Sequence, residues 1–473
     1  MVANELFARQ GVQVTYWVAW EARRRLMEKI NGNYEEGYKL VPNMCRNILA
    51  NNPDSIVKWY VNDDTNEFRG LFIGFMASLQ GWVDGCRPVI GLDGCFLKGK
   101  YGGACLSAMG LDAMNGLFPL AIFIGTGEHK VSWSVLLSHL QPYLNKHVGP
   151  ITFMSDRQKG LIQAVQEYYP TAYHRFCFRH MYQNFKRDDN KGDYLEQLSW
   201  GAARALKECE YNDYMKAIEQ DSAKAHAWLS KEPLKNWARH KFDKTCKCDK
   251  LTNNFSESFN AWILKIRDKP LVQFIDKYIL ALTALLYERR MMSRELEDNT
   301  VVPSVMHTIE KYARKRHKFT VEGISDFNYM ALNRHGKKFF VNLQRMCCTC
   351  VQWQLSGVPC IHAVAVIIPR REPWIKYCSP YYSVESFRAT YKGYIYPLNN
   401  IEDWEKGAEN VLPPHVSRQP GRPKKMRIRD EDEPQRKGNR ACKKCGNHGH
   451  NTRTCERRKD GNYSKRKGDI VLT

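Results

Sequence analysis

The stretch PVIGLDGCFLKGK, Pro88–Lys100, decides how the chain folds. Its β-type run of Val89, Ile90 and Leu92 ends in Asp93, followed by Gly94 and by apolar residues leading to Lys98 and Lys100. A carboxylate on a buried strand is costly unless a cation or hydrogen bonds compensate it, so Asp93 reads as one member of a metal-binding set. The pattern recurs in ITFMSDRQK, Ile151–Lys159, where a strand-like run delivers Asp156. A third acid, Glu257, stands in TNNFSESFN, Thr252–Asn260.

Working outward, PVIGLDGCFL, ACLSAMGLDA and LFPLAIFIG are strand-like runs, and Met114-Asn115-Gly116 supplies a hairpin turn between the last two. SWSVLLSHLQPYL predicts a helix, ITFMS a further strand, GLIQAVQEYY a helix and TAYHRFCF another strand. Hairpin-joined strands, a helix and then a strand is the order of an RNase H-like α/β fold. In that order the first and fourth strands lie side by side, and Asp93 and Asp156 converge. Residues 1–85 read as a mainly helical region, whose Trp17, Leu26, Leu40 and Ile48 stripe is most simply core packing. The RNase H-like domain spans 86–290, with a helical insertion at about 186–250 rich in Trp200, Trp228 and Trp237. A helical connector (291–317) follows. His335-Gly336 marks a hairpin turn in the alternating run Phe319–Leu343.

Carboxylates from distant strands are the hard oxygen ligands that paired Mg²⁺ ions need in order to activate water for phosphodiester cleavage. On a helix through Glu257, residues Asn253, Asn254, Glu257 and Asn260 share one polar face, opposite Phe255, Phe259, Trp262 and Ile263. Each acid also has a structural reading. Asp93-Gly94 suits a strand-ending turn, Asp156 a helix cap, and Glu257 a capping box begun at Asn254. Asp249 is the rival for the third position.

CCTCVQWQLSGVPCIHAV offers Cys348-x-Cys350 and Cys360-x-His362, a thiolate and imidazole set suited to tetrahedral Zn²⁺. Gly357 and Pro359 supply the turn, and His362 opens a helix. Cys347 is a spare thiol or, with Cys350, an alternative pair. Nearer the end, Cys442, Cys445, His450 and Cys455 are spaced as CCHC ligands, with Gly446 and Gly449 at the tight loops and His448 as the alternative ligand. Lys443, Lys444 and Arg453 beside them suit phosphates.

The chain has 473 residues and a net charge of +22, an excess typical of polyanion binders. Ser417–Thr473 hold 18 Lys/Arg against 7 Asp/Glu, half of that excess. Beyond about Leu412 the apolar pattern ends, so the tail is expected to be disordered apart from the CCHC site. Within it, Pro420-Gly421-Arg422-Pro423-Lys424-Lys425 approaches an AT-hook, though Pro420 replaces the usual Arg; a basic linker or nuclear localisation signal is the alternative. The start carries no signal pattern, and the longest apolar runs, around Leu117–Ile124 and Tyr278–Leu286, fall short of a membrane span. Sixteen cysteines in such a chain point to metal ligands and buried thiols, and the charge to the nucleus.

Taken together, LDGCFLKGKYGG, SDRQKGL, HRFCFRH and TNNFSESFN resemble the transposase domain of plant Mutator-like elements. The Cys348–His362 segment, with Trp353 between its pairs, resembles a SWIM zinc finger (318–370), and the distal site resembles a CCHC zinc knuckle (441–456). The resemblance implies an RNase H-like core, with a DDE set on Asp93, Asp156 and Glu257 using Mg²⁺ or Mn²⁺. It also implies a Cys-x-x-His pair on Cys177 and His180, structural or at the active site. Transposon-end and target DNA would be the partners, with Lys98, Lys100, Arg157, Lys159, Arg422, Lys424 and Lys425 as candidate contacts. Single-stranded nucleic acid would bind the knuckle, and a homo-oligomer is compatible with the family. Cys95 stands where Thr is common, and the family's usual N-terminal DNA-binding region is not expected here. An extension (371–411), a basic linker (412–440) and a tail (457–473) complete the layout. The alternative is a domesticated DNA-binding or transcription-regulating protein without catalysis.

Overall fold

The computed structural model describes residues 11–405 and 407–415. The expected knuckle ligands Cys442, Cys445, His450 and Cys455, and the basic Arg422, Lys424 and Lys425, lie outside the described residues.

A seven-stranded sheet runs in the order β1-β2-β5-β4-β3-β6-β7. Its strands are β1 (Ile56–Val61), β2 (Phe68–Gly74), β3 (Val89–Phe96), β4 (Ala104–Leu111), β5 (Leu117–Gly125), β6 (Thr152–Ser155) and β7 (Tyr173–Phe176). Every residue of β4 is buried, as befits a central strand covered on both faces. The β4–β5 turn falls at Asn115, whose φ of 64° is one that asparagine tolerates. Strand β6 pairs parallel with β3, so the first and fourth strands of the set are neighbours, as anticipated.

Helix α1 (Tyr16–Asn31), α2 (Tyr34–Lys39), α3 (Val41–Asn51) and α4 (Met76–Gly85) flank the first strands. Reading residues 11–85 as mainly helical misses β1 and β2. Their β-branched and aromatic runs are split by the polar turn Asn62–Glu67, and together they extend the sheet beside β5. Nor does the whole apolar stripe serve the core. Ile48 is fully buried, but Trp17 and Leu26 are 67% and 56% exposed, because no described element covers that face of α1.

After β5 come α5 (Lys130–Leu144), α6 (Lys159–Tyr168) and α7 (Phe178–Arg187). The insertion follows as α8 (Asp193–Arg204), α9 (Glu208–Asp221), α10 (Ala223–Leu229) and α11 (Leu234–Trp237). It packs with α7 in an apolar cluster around Phe178, Phe185, Trp228 and Trp237. The chain returns as α12 (Asn254–Trp262), α13 (Leu271–Arg294) and α14 (Pro303–Arg314). A second sheet, ordered β11-β10-β9-β8, holds β8 (Phe319–Gly323), β9 (Asn328–Asn333), β10 (Lys338–Asn342) and β11 (Cys347–Cys348), with Gly336 (φ 74°) in the expected turn. Helices α15 (Gln352–Ser356), α16 (Ile361–Ile367) and α17 (Val384–Thr390) close the described fold.

Two glycines show how the large sheet is sandwiched. Gly110 lies under the Trp82 indole of α4 on one face, and Gly91 lies under Asn253 and Ser256, at the start of α12, on the other. Asn253 Nδ2 also donates to the Leu92 carbonyl at 2.9 Å, tying α12 to β3. A Cβ at Gly91 would overlap Ser256 Oγ and Asn253 Oδ1. Gly91→Ala is therefore expected to destabilise the protein by about 1–3 kcal/mol, read as a lower urea midpoint with an unchanged slope.

Candidate active site and zinc centre

The β3–β6 register pairs Val89 with Thr152, Ile90 with Phe153 and Gly91 with Met154. The same offset carried two residues further sets Asp156, just past β6, opposite Asp93. Asp93 Oδ1 accepts from the Gly94 N–H at 3.0 Å, and Oδ2 accepts from Asn260 Nδ2 at 2.7 Å. Asp156 Oδ1 accepts from the Gln158 N–H at 3.0 Å. The cap of α6 is Gln158, not Asp156. Glu257, in the first turn of α12, accepts from Arg179 Nη1 at 2.9 Å through Oε2, and does not close a capping box. Its other oxygen, Oε1, stands 3.8 Å from His180 Nε2 and is buried without a hydrogen-bond partner.

These groups act on one another electrostatically, although the three acids are not among the donor sets of the described residues that close to within 4.8 Å. Burial first, then the charges of Asp156 and Glu257, push Asp93 up to about 7, against the opposing pull of His180 and the Gly94 N–H. His180 is raised to about 9 by its contact with Cys177 and by the charges of Asp156 and Asp93. The rival Asp249 is elsewhere: its Oδ2 accepts from Gln352 Nε2 of α15 at 2.8 Å.

The candidate backbone contacts divide. Lys98 and Lys159 are exposed. Lys100 pairs with Glu35 at 2.8 Å. Arg157 pairs with Glu232 at 3.1 Å and lies over the Trp228 ring at 5.2 Å, which turns it toward the insertion. Arg179, which holds Glu257, was not singled out in the sequence; its one signal there is its place between Cys177 and His180.

In the smaller sheet, Cys348, Cys350, Cys360 and His362 bring one donor atom each within 4.8 Å of the others. Cys348 Sγ and Cys360 Sγ stand 3.7 and 3.8 Å from His362 Nδ1. Tetrahedral Zn²⁺ with Zn–S of about 2.3 Å and Zn–N of about 2.0–2.1 Å spaces such donors by about 3.5–3.8 Å, so the set fits that ion. The backbone reaches this geometry through Val351 at φ 68° and Gly357 at φ 76°. The Phe339 ring stacks on His362 at 3.7 Å, and buried Trp353 donates Nε1–H to the Tyr377 carbonyl at 3.1 Å. Cys347 is outside the cluster, which leaves it the spare. The finger also grips the return from the insertion: Lys247 Nζ donates to the Gln354 carbonyl at 3.2 Å, close to the Asp249–Gln352 bond.

Residues 89–184 match the family model of the MULE transposase domain. The MULE segment begins with β3 and runs into α7, so it contains Asp93, Asp156, Cys177 and His180, with Glu257 beyond it. Residues 339–368 match the SWIM zinc finger, and all four clustered donors fall inside. No curated protein matches the chain.

Two outcomes follow. Asp93 is raised from the usual carboxylate range to about 7, so its ionisation opposes folding. That penalty is absent below pH 4, grows as pH rises toward 7, and is full above it. Asp93→Asn, in Mg²⁺-free buffer with zinc retained, should therefore be more stable than the parent at pH 8 by about 2–4 kcal/mol, with the gain vanishing near pH 4 in urea titrations. Cys360→Ser should lose one zinc per chain and lower the thermal midpoint, because the finger's small core is built around that ion.

Proposed function

We propose that the chain is a Mutator-like DDE transposase acting on DNA in the nucleus, with an RNase H-like core. The observation that carries this reading is the shared register of Asp93 and Asp156 on parallel strands, with Glu257 of α12 near enough for its charge to raise Asp93. An Asp93 lifted to about 7 by burial first, and then by the charges of Asp156 and Glu257, suits a divalent cation, and carboxylates are donors for Mg²⁺ or Mn²⁺. Such ions, when bound, activate water and stabilise the leaving oxygen.

The chain's own residues set the geometry. Asn260 and the Gly94 N–H fix the orientation of Asp93, and Arg179 fixes one oxygen of Glu257. Exposed Lys98 and Lys159 would meet DNA phosphates, within the field of a chain carrying +22. Water oxygen attacks phosphorus, the P–O3′ bond breaks, and the 3′ oxygen leaves as a hydroxyl. That 3′-OH then attacks a phosphodiester of target DNA, releasing a second 3′-OH.

A transposase-derived DNA-binding protein without cleavage is the second reading. The Arg179–Glu257 pair favours it, because it occupies one oxygen of the third acid. Nicking of DNA bearing the terminal inverted repeats that flank the gene decides between them. Parent protein with Mg²⁺ or Mn²⁺ should nick. Asp93→Asn, Asp156→Asn and Glu257→Gln should each fall by at least about 100-fold while still retaining DNA in a mobility shift. Equal nicking by the Asp93→Asn and Asp156→Asn variants removes the triad, and no nicking by the parent favours the second reading.

A further inference from the structure

Cys177, His180 and Glu257 form a second cluster of metal-ligating atoms, all within 4.8 Å of one another. Cys177 directly precedes α7 and His180 lies in its first turn, so the two share one end of that helix. Glu257 arrives from α12 on the far side of the insertion. Cys177 is buried, while His180 and Glu257 are half-buried at the edge of the acidic site. One acceptor there is left over: Glu257 Oε1 is buried, meets no hydrogen-bond partner and faces His180 Nε2 at 3.8 Å. A buried acceptor without a partner is costly, and an ion placed against Glu257 Oε1 removes that cost. The thiol already has the outer support typical of a ligand, since the Asn253 N–H donates to Cys177 Sγ at 3.3 Å. Arg179 holds Glu257 through Oε2, which leaves Oε1 to face the imidazole.

We propose that Cys177, His180 and Glu257 bind a Zn²⁺ ion beside Asp93 and Asp156, distinct from the ion of the finger. A thiolate and an imidazole select zinc over Mg²⁺. Three protein ligands leave the fourth tetrahedral position for water or a phosphate oxygen, the arrangement of a reactive zinc site. The donors have to close only slightly, from 3.8 Å between His180 Nε2 and Glu257 Oε1 to about 3.4 Å around a bound ion. The proximity of these three groups does not depend on whether the chain cleaves DNA.

The test is a zinc count on the full chain, saturated with Zn²⁺ and freed of loose metal by gel filtration. Cys177→Ser and His180→Ala are each expected to carry one zinc fewer than the parent, and the Cys177→Ser/Cys360→Ser double variant two fewer. Should Cys177→Ser fail to fold, His180→Ala decides, because that side chain is half-exposed. Parental zinc content in a folded His180→Ala protein, judged by its near-ultraviolet circular dichroism, overturns the proposal. Because the count is read without DNA, it stands or falls apart from the nicking result.

Discussion

The burial of the Asp93 carboxylate, with Asp156 in register beside it, is the constraint that the surrounding structure has to meet. Parallel pairing of β3 with β6 fixes the two carboxylates side by side, and no cation from their own strands separates them. The surroundings make this tolerable in pieces. A backbone N–H and Asn260 satisfy Asp93, the Gln158 N–H satisfies Asp156, and His180 brings opposing charge. Such an arrangement persists because the sheet beneath it is covered on both faces, with β4 wholly buried.

The helix that completes the site is placed by absence of bulk rather than by attraction alone. Gly91, two residues before Asp93 and on the same face of β3, lets Asn253 and Ser256 settle onto the strand. Asn253 then bonds the strand carbonyl through its side chain and the Cys177 sulfur through its backbone. One residue thus links β3, the start of α7 and the start of α12. The insertion between α7 and α12 can be long without disturbing the site, because its two ends are held at this point.

Much of this was legible in the sequence. Alternation and the Asn115 turn point to β3–β7 and to a shared register for Asp93 and Asp156, although β3 runs on past Asp93 to Phe96 instead of ending there. The ligand spacing around Cys348 and His362 fixes the finger. What was not legible depends on partners far along the chain. The β1–β2 hairpin was missed because short apolar runs around Trp59 and Leu71 satisfy helical and extended spacing alike. Trp17 and Leu26 show that a stripe reveals which side of a helix is apolar, not whether anything covers it. Nothing near Arg157 in the chain signals its pairing with Glu232 or its contact with the Trp228 ring, both from the insertion. The separate surroundings of Glu257 and Asp249, one held by Arg179 and the other by Gln352, likewise depend on three dimensions, since both precede or open α12.

Lys247 and Asp249 give the finger a role that modular thinking would overlook. They lie on the short run that leads from the insertion to Glu257, and both are held by the α15 turn of the finger. The zinc domain is in this sense a buttress, bolted to the approach road of the third acid. A chain that traded its finger for another would have to rebuild that approach as well, so the two halves are bound to change in step.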